Sequence, residues 1–144
     1  MKNCQIYTDG GTRGKNPGVS ACGFVLMESG YTVVEAACLL DGITSNNESE
    51  YGGVVMGLFN AAARGYTHVD LFTDSQLVAN QMTGKFQVNS AVLKECVEEA
   101  RIEESKFEVV RYTWIPRAQN ARADRVVRDL LDEEMARRKD DAKR

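Results

Sequence analysis

The chain is predicted to fold as an α/β domain, a mixed β-sheet with helices on its faces. Three observations carry that prediction. Short apolar stretches alternate with helix-period stretches in the later part of the chain, which implies parallel crossovers. An early pair of strand-like segments separated by Glu28-Ser29-Gly30 implies an antiparallel hairpin. At 144 residues and 43% hydrophobic, the chain is about one domain long and can bury a core without disulfide or metal staples.

In order, Gln5 to Thr8 is short and alternating and is expected to be a strand. The Gly-rich stretch Asp9 to Gly18 is expected to be a turn. Ala21 to Met27 and Thr32 to Leu40 form the hairpin. A helix is predicted over Asn46 to Arg64, because Tyr51, Val54, Val55, Leu58 and Ala62 repeat at helical spacing and Gly65 suits a C′ position. Val69 to Thr73 is a short apolar strand, followed by a helix from Ser75 to Met82. Ser90 to Glu104 is another helix, with Val92, Leu93, Cys96 and Val97 as its stripe. Phe107 to Trp114 is a strand and Ala121 to Ala136 a final helix. Residues 1–136 thus make one domain, and the charged tail 137–144 is expected to fray.

Composition bounds the function. Charged residues make up 27% of the chain, as in an ordinary globular protein. No apolar run reaches the roughly 20 residues that span a bilayer, and Met1 to Tyr7 lacks the character of a secretory signal, so no membrane association and a cytosolic location are expected. None of the four cysteines (Cys4, Cys22, Cys38, Cys96) stands in a CxxC pair. Buried, reduced thiols are expected rather than a zinc site. The net charge of −3 is unusual for a nucleic-acid binder. Charge distribution matters more than the sum, and arginines gather late, at Arg111, Arg117, Arg122, Arg125 and Arg128.

Ligands of parallel-stranded sheets gather at the carboxyl ends of the strands, where Asp9 and Asp74 both fall. Taken alone, Asp74 suits a helix cap and Asp124 a surface ion pair. Yet Asp124, Val127 and Leu131 share one face by their i, i+3, i+7 spacing, which turns Asp124 toward the sheet. Two carboxylates at neighbouring strand ends repel unless a cation or a proton separates them. Between Glu48 and Glu50 periodicity does not choose, but capping does. Ser45-Asn46-Asn47-Glu48 fits the capping box, which gives Glu48 a structural task and leaves Glu50 free.

Four segments occur in order: Ile6-Tyr7-Thr8-Asp9-Gly10-Gly11, Asn46-Asn47-Glu48-Ser49-Glu50-Tyr51, Phe72-Thr73-Asp74-Ser75-Gln76-Leu77-Val78, and Arg117-Ala118-Gln119-Asn120-Ala121-Arg122-Ala123-Asp124. Together they resemble the type 1 ribonuclease H family over nearly the whole chain, from Cys4 to Leu131. The resemblance is to the short form, because Gly84 to Ser90 leads directly into the next helix without a basic, Trp-containing insert.

The resemblance implies a five-stranded sheet of order 3-2-1-4-5, with strand 2 antiparallel. It implies an endonuclease that hydrolyses the RNA strand of RNA/DNA hybrids to 5′-phosphate and 3′-hydroxyl ends; no obligate protein partner is evident, and a monomer is expected. Asp9 would bridge two Mg²⁺ ions (Mn²⁺ as a substitute), with Glu50 and Asp74 on one side and Asp124 on the other. Hard oxygen ligands suit those ions. Reading a 2′-hydroxyl would fall to the backbone at Gly10 and Gly11 and to Asn46. Ser45 stands where the family holds a substrate phosphate, and its local task could equally be an N-cap. The first loop, Thr12 to Gly18, is one residue longer than the common short-form loop. No histidine precedes the last aspartate. His68, the only one in the chain, is expected to be structural, and Arg117 is a replacement by position alone. The alternatives are a nuclease of this fold acting on double-stranded RNA or single-strand ends, an idle hybrid-binding module, and an aspartyl phosphatase. The intact acids disfavour the idle module, and the lack of a second Asp two positions after Asp9 disfavours the phosphatase.

Overall fold

The computed structural model describes residues 2–144; Met1, at the head of the predicted domain, lies outside the described residues. The strands are β1 (Asn3–Arg13), β2 (Val19–Glu28), β3 (Tyr31–Leu39), β4 (His68–Thr73) and β5 (Val109–Trp114). The helices are α1 (Asn46–Ala63), α2 (Gln76–Met82), α3 (Ala91–Glu104) and α4 (Ala121–Ala142), with a 3-10 turn at Arg117–Asn120 before α4. The sheet order is β3-β2-β1-β4-β5. β2 runs antiparallel to both of its neighbours, while β1, β4 and β5 are mutually parallel. The predicted order and the antiparallel β2 are therefore observed.

Successive strand residues point to opposite faces. A side chain at Gly10 would strike α1 at Ser49 and Glu50, whereas one at Gly11 would meet Val127 and Leu131 of α4. The two helices thus cover opposite faces. The main core lies on the α1 side, where Ile6, Phe24, Leu26, Tyr51, Val54, Leu58 and Leu71 are fully buried. The hydroxyl of Tyr51 enters that core satisfied, donating to Gln81 Oε1 at 2.5 Å. On the other face Ala21, Val127 and Leu131 form a smaller cluster.

Four expectations need correction. The stretch from Asp9 to Arg13 is strand, not turn, because it pairs residue by residue with Val19 to Gly23 of β2. The last helix does not end at Ala136, since α4 continues to Ala142. Its last turns are laced by ion pairs from Glu134 to Arg137 and Arg138, and from Arg137 to Asp141. These guanidiniums hold the Glu134 carboxyl well below the usual range, at about 2, through hydrogen bonds before charge. In α3 Leu93, Cys96 and Val97 pack against the core as expected, but Val92 is exposed and Ala100 is the fully buried residue of the stripe. Of the cysteines, Cys4 and Cys22 are buried thiols, but Cys38 lies exposed on β3, an edge strand of the sheet.

Candidate active site

The parallel ladder between β1 and β4 ends at the pair Thr8 and Thr73. Asp9 and Asp74 are the next residues on each chain, so they stand side by side where the ladder stops. Asp74 is not a helix cap. That role belongs to Ser75, whose Oγ accepts from the Val78 N–H at 3.2 Å.

Glu50 comes from the first turns of α1. Ser45 caps this helix, its Oγ accepting from the Glu48 N–H at 3.1 Å while Glu48 Oε1 accepts from the Ser45 N–H at 2.9 Å. The capping box read from sequence is therefore formed, and it occupies Glu48. What draws Glu50 to Asp9 is the close approach of α1 to β1. A Cβ on Gly53 would stand 2.7 Å from the Asp9 carbonyl oxygen, and one on Gly10 would stand 2.3 Å from the Ser49 carbonyl carbon. Backbone packs on backbone here because neither residue carries a side chain. Gly10 thus has a packing reason that the sequence reading did not contain.

Carboxylate oxygens of Asp9, Glu50 and Asp74 lie within 4.8 Å of one another. Asp9 and Glu50 are each only 5% exposed, which makes the crowding costly. The Asp9 carboxyl is pushed up to about 7, first by burial and then by the charge of Asp74, with Asp124 adding to it. Glu50 is driven well upward, first by burial and then by Asp9 and Asp74. Its buried Oε2 has no hydrogen-bond partner. An unpartnered buried carboxylate oxygen beside two other acids fits a hard cation, and the donor set is all oxygen.

Asp124 lies in the first turn of α4 and lines the same cleft of about 400 Å³, but it is not one of the close three. Arg117 and Arg128 hold it, at 3.4 and 3.3 Å. Gly10, Gly11, Asn46 and Arg117 also line this cleft, together with Thr12, Arg13 and Arg128. Ser45 is absent from the lining and engaged in its cap. The Asn46 N–H is taken by Asn16 Oδ1 at 3.0 Å, which ties the first loop to the start of α1. His68 sits at the opposite end of β4 and touches Thr67 and Glu108.

Two residues that sequence reasoning left without a role touch Asp74. Trp114 Nε1 donates to its main-chain carbonyl at 3.1 Å, and Asn120 Nδ2 donates to its Oδ2 at 3.1 Å. Asn120 stands inside the last quoted motif, one helical turn before Asp124, so its position was a signal; for Trp114 there was none.

The chain is similar to known proteins over most of its length. A family model described as Reverse transcriptase-like matches residues 7–130. The bifunctional protein Rv2228c of Mycobacterium tuberculosis is 37% identical over 128 residues, which cover 88% of this chain and 35% of that protein. The chain thus spans about a third of that relative's length. The solved N-terminal RNase H domain of Rv2228c, fused to maltose-binding protein, matches with a TM-score of 0.88 at 34% identity, covering 92% of this chain and 96% of that one. Ribonuclease HI of Halobacterium salinarum is 36% identical over 127 residues, 88% of this chain and 63% of that protein. LC11-RNase H1, solved in complex with an RNA/DNA hybrid, gives a TM-score of 0.85 at 32% identity over 92% of this chain and 99% of that one.

Proposed function

The chain belongs to the type 1 ribonuclease H family, and from that membership we propose that it is an endonuclease hydrolysing the RNA strand of RNA/DNA hybrids. The observation that carries the proposal is the crowding of Asp9, Glu50 and Asp74 at one strand end, with a buried Glu50 oxygen left unpartnered. A pure binding module gains nothing by presenting three acids to a phosphate backbone.

Asp9, Glu50, Asp74 and Asp124 are assigned as the residues that would hold two Mg²⁺ ions, with Mn²⁺ as a substitute. Such ions supply an activated water and charge neutralisation at the leaving oxygen. The protein's own share is orientation. Asp9 and Asp74 are fixed by the strand ladder, Glu50 by the capped helix, and Asp124 by the first turn of α4. Gly10, Gly11 and Asn46 all line the cleft, which suits reading of a 2′-hydroxyl. Arg117 and Arg128 place positive charge at the cleft for phosphate. A monomer working in the cytosol, with its four thiols free, completes the proposal.

A labelled RNA/DNA hybrid, run beside matched RNA/RNA and DNA/DNA duplexes in Mg²⁺, Mn²⁺ or EDTA, tests it. The RNA strand of the hybrid should be cut to 5′-phosphate and 3′-hydroxyl ends only when the metal is present. Equal cutting of the DNA duplex, or cutting in EDTA, would sink it.

A further inference from the structure

Asn120 is 1% exposed, at the junction between the 3-10 turn and α4. It occupies the N-cap position of α4, where an Asn ordinarily accepts from the helix's first N–H groups. Here it makes no such cap. Its amide hydrogens go elsewhere. Nδ2 donates to the Thr8 carbonyl at 2.9 Å and to Asp74 Oδ2 at 3.1 Å. Both targets are acceptors, so the amide can face them only with its nitrogen. The price is its other end: Oδ1 is buried without a partner. A buried acceptor left unsatisfied is destabilising. A local cap has been given up for a tertiary tie.

That tie joins three pieces of the site. Thr8 immediately precedes Asp9 on β1. Asp74 is held directly, and Trp114 grips its main chain from β5. Asp124 follows Asn120 by one turn of the same helix. The carboxylate that Asn120 holds is the one that crowds Asp9 and Glu50 within 4.8 Å.

We propose that Asn120 is a positioning residue for the carboxylate site: its amide locks the Asp74 carboxylate and spaces Asp74 against Asp9 and Asp124, and so sets how tightly the site takes a divalent cation. This rests on the assignment of those acids as metal ligands. Removing a group that orients a ligand typically weakens metal binding by about 10- to 100-fold.

The test is calorimetric titration of Mn²⁺ into the full chain without nucleic acid, for the wild type, Asn120→Ala, Asp74→Asn and Val69→Ala. Val69 is buried at the far end of β4 and controls for lost stability alone. Asn120→Ala should bind Mn²⁺ at least tenfold more weakly. Its half-maximal Mn²⁺ for hybrid cleavage should rise by a similar factor, while the KM for hybrid at saturating metal stays near wild type. Val69→Ala should melt lower with unchanged Mn²⁺ affinity. If Asn120→Ala does not fold, Asn120→Leu keeps the volume without the amide. Affinity within twofold of wild type in a folded Asn120 variant overturns the proposal, as does failure of both variants to fold, which would make the amide a structural tie only. A wild type that takes up no Mn²⁺, or an Asp74→Asn that binds it normally, overturns the metal assignment itself.

Discussion

Glu48 and Glu50 stand two residues apart and carry unlike tasks. Glu48 closes the capping box of α1, and Glu50 faces Asp9 with a buried, unpartnered oxygen. Glu48→Ala should therefore cost about 0.5–2 kcal/mol of stability and leave turnover largely intact. Glu50→Gln should melt no lower than wild type and lose most turnover. Thermal melts and hybrid cleavage on both variants check this, and the reverse pattern would make Glu48 the functional acid. Asp9 offers a pH test. In the metal-free protein its carboxyl is raised to about 7, while in the unfolded chain it titrates near its ordinary value of about 4. Between those values the folded state holds a proton that the unfolded state has released, so stability falls as pH rises. Glu50 acts in the same direction. Glu134 acts in the opposite one, but its contribution is lost only as pH falls toward 2. In EDTA, the melting temperature should drop from pH 5 to pH 8, and Asp9→Asn or saturating Mg²⁺ should flatten that drop. A wild-type curve in EDTA that rises over this window would contradict the crowding.

At the scale of elements, the site depends on how closely α1 lies on the sheet. Tyr51, Val54 and Leu58 gave α1 its periodicity, and all three are buried. The distance between helix and strand depends instead on Gly10 and Gly53, whose missing side chains no period reveals. Gly53→Ala places a methyl where only 2.7 Å is free to the Asp9 carbonyl oxygen. Relief requires moving α1 off β1, an overpacking cost of about 1–3 kcal/mol. Because Glu50 rides on the same helix, hybrid cleavage should fall at least tenfold, more than the stability loss alone explains at a temperature where the variant stays folded. A Gly53→Ala protein of normal turnover would show that the spacing of Asp9 and Glu50 is not critical. The end of α4 shows a different limit of sequence reading. Residues 137–144 read as a charged tail, yet α4 runs on to Ala142, with i,i+3 and i,i+4 ion pairs among Glu134, Arg137, Arg138 and Asp141 along it.

For the whole molecule, the net charge of −3 and the proposed polyanionic substrate are reconciled by placement. Arg13, Arg117 and Arg128 line the cleft, while acids along α3 lie on the other face of the sheet. Arg122 lies outside the cleft lining and pairs with Glu35, while at the cleft Arg13 pairs with Asp132 and Arg117 and Arg128 share Asp124. Hybrid binding should weaken as salt rises, because each phosphate contact releases counterions. Charge reversal at Arg128 or at exposed Lys15 should make the slope shallower by about one contact. Titrations of hybrid at several salt concentrations, with metal replaced by Ca²⁺ to block cleavage, measure this. A binding constant indifferent to salt would leave the arginines as a solvated face.

The hairpin, the place of Asp9 and Asp74 at strand ends and the capping box were legible beforehand from local rules: period two or 3.6 and turn chemistry. The sheet order was implied only by the resemblance of the four motifs to a known family. Contacts between segments distant in sequence were not legible. Asp9 and Asp74 lie 65 positions apart, and only the β1–β4 ladder shows that they are neighbours in register. Asn120, to which the sequence assigns no role, donates to Thr8 and Asp74, because its surroundings offer a buried carbonyl and a half-buried carboxylate from segments far away in the chain. The sequence by itself determined which residue types are present and which elements carry them. The tertiary structure decided the distances among them, since close packing across segments, rather than any local preference, sets how near two like charges are forced to stand.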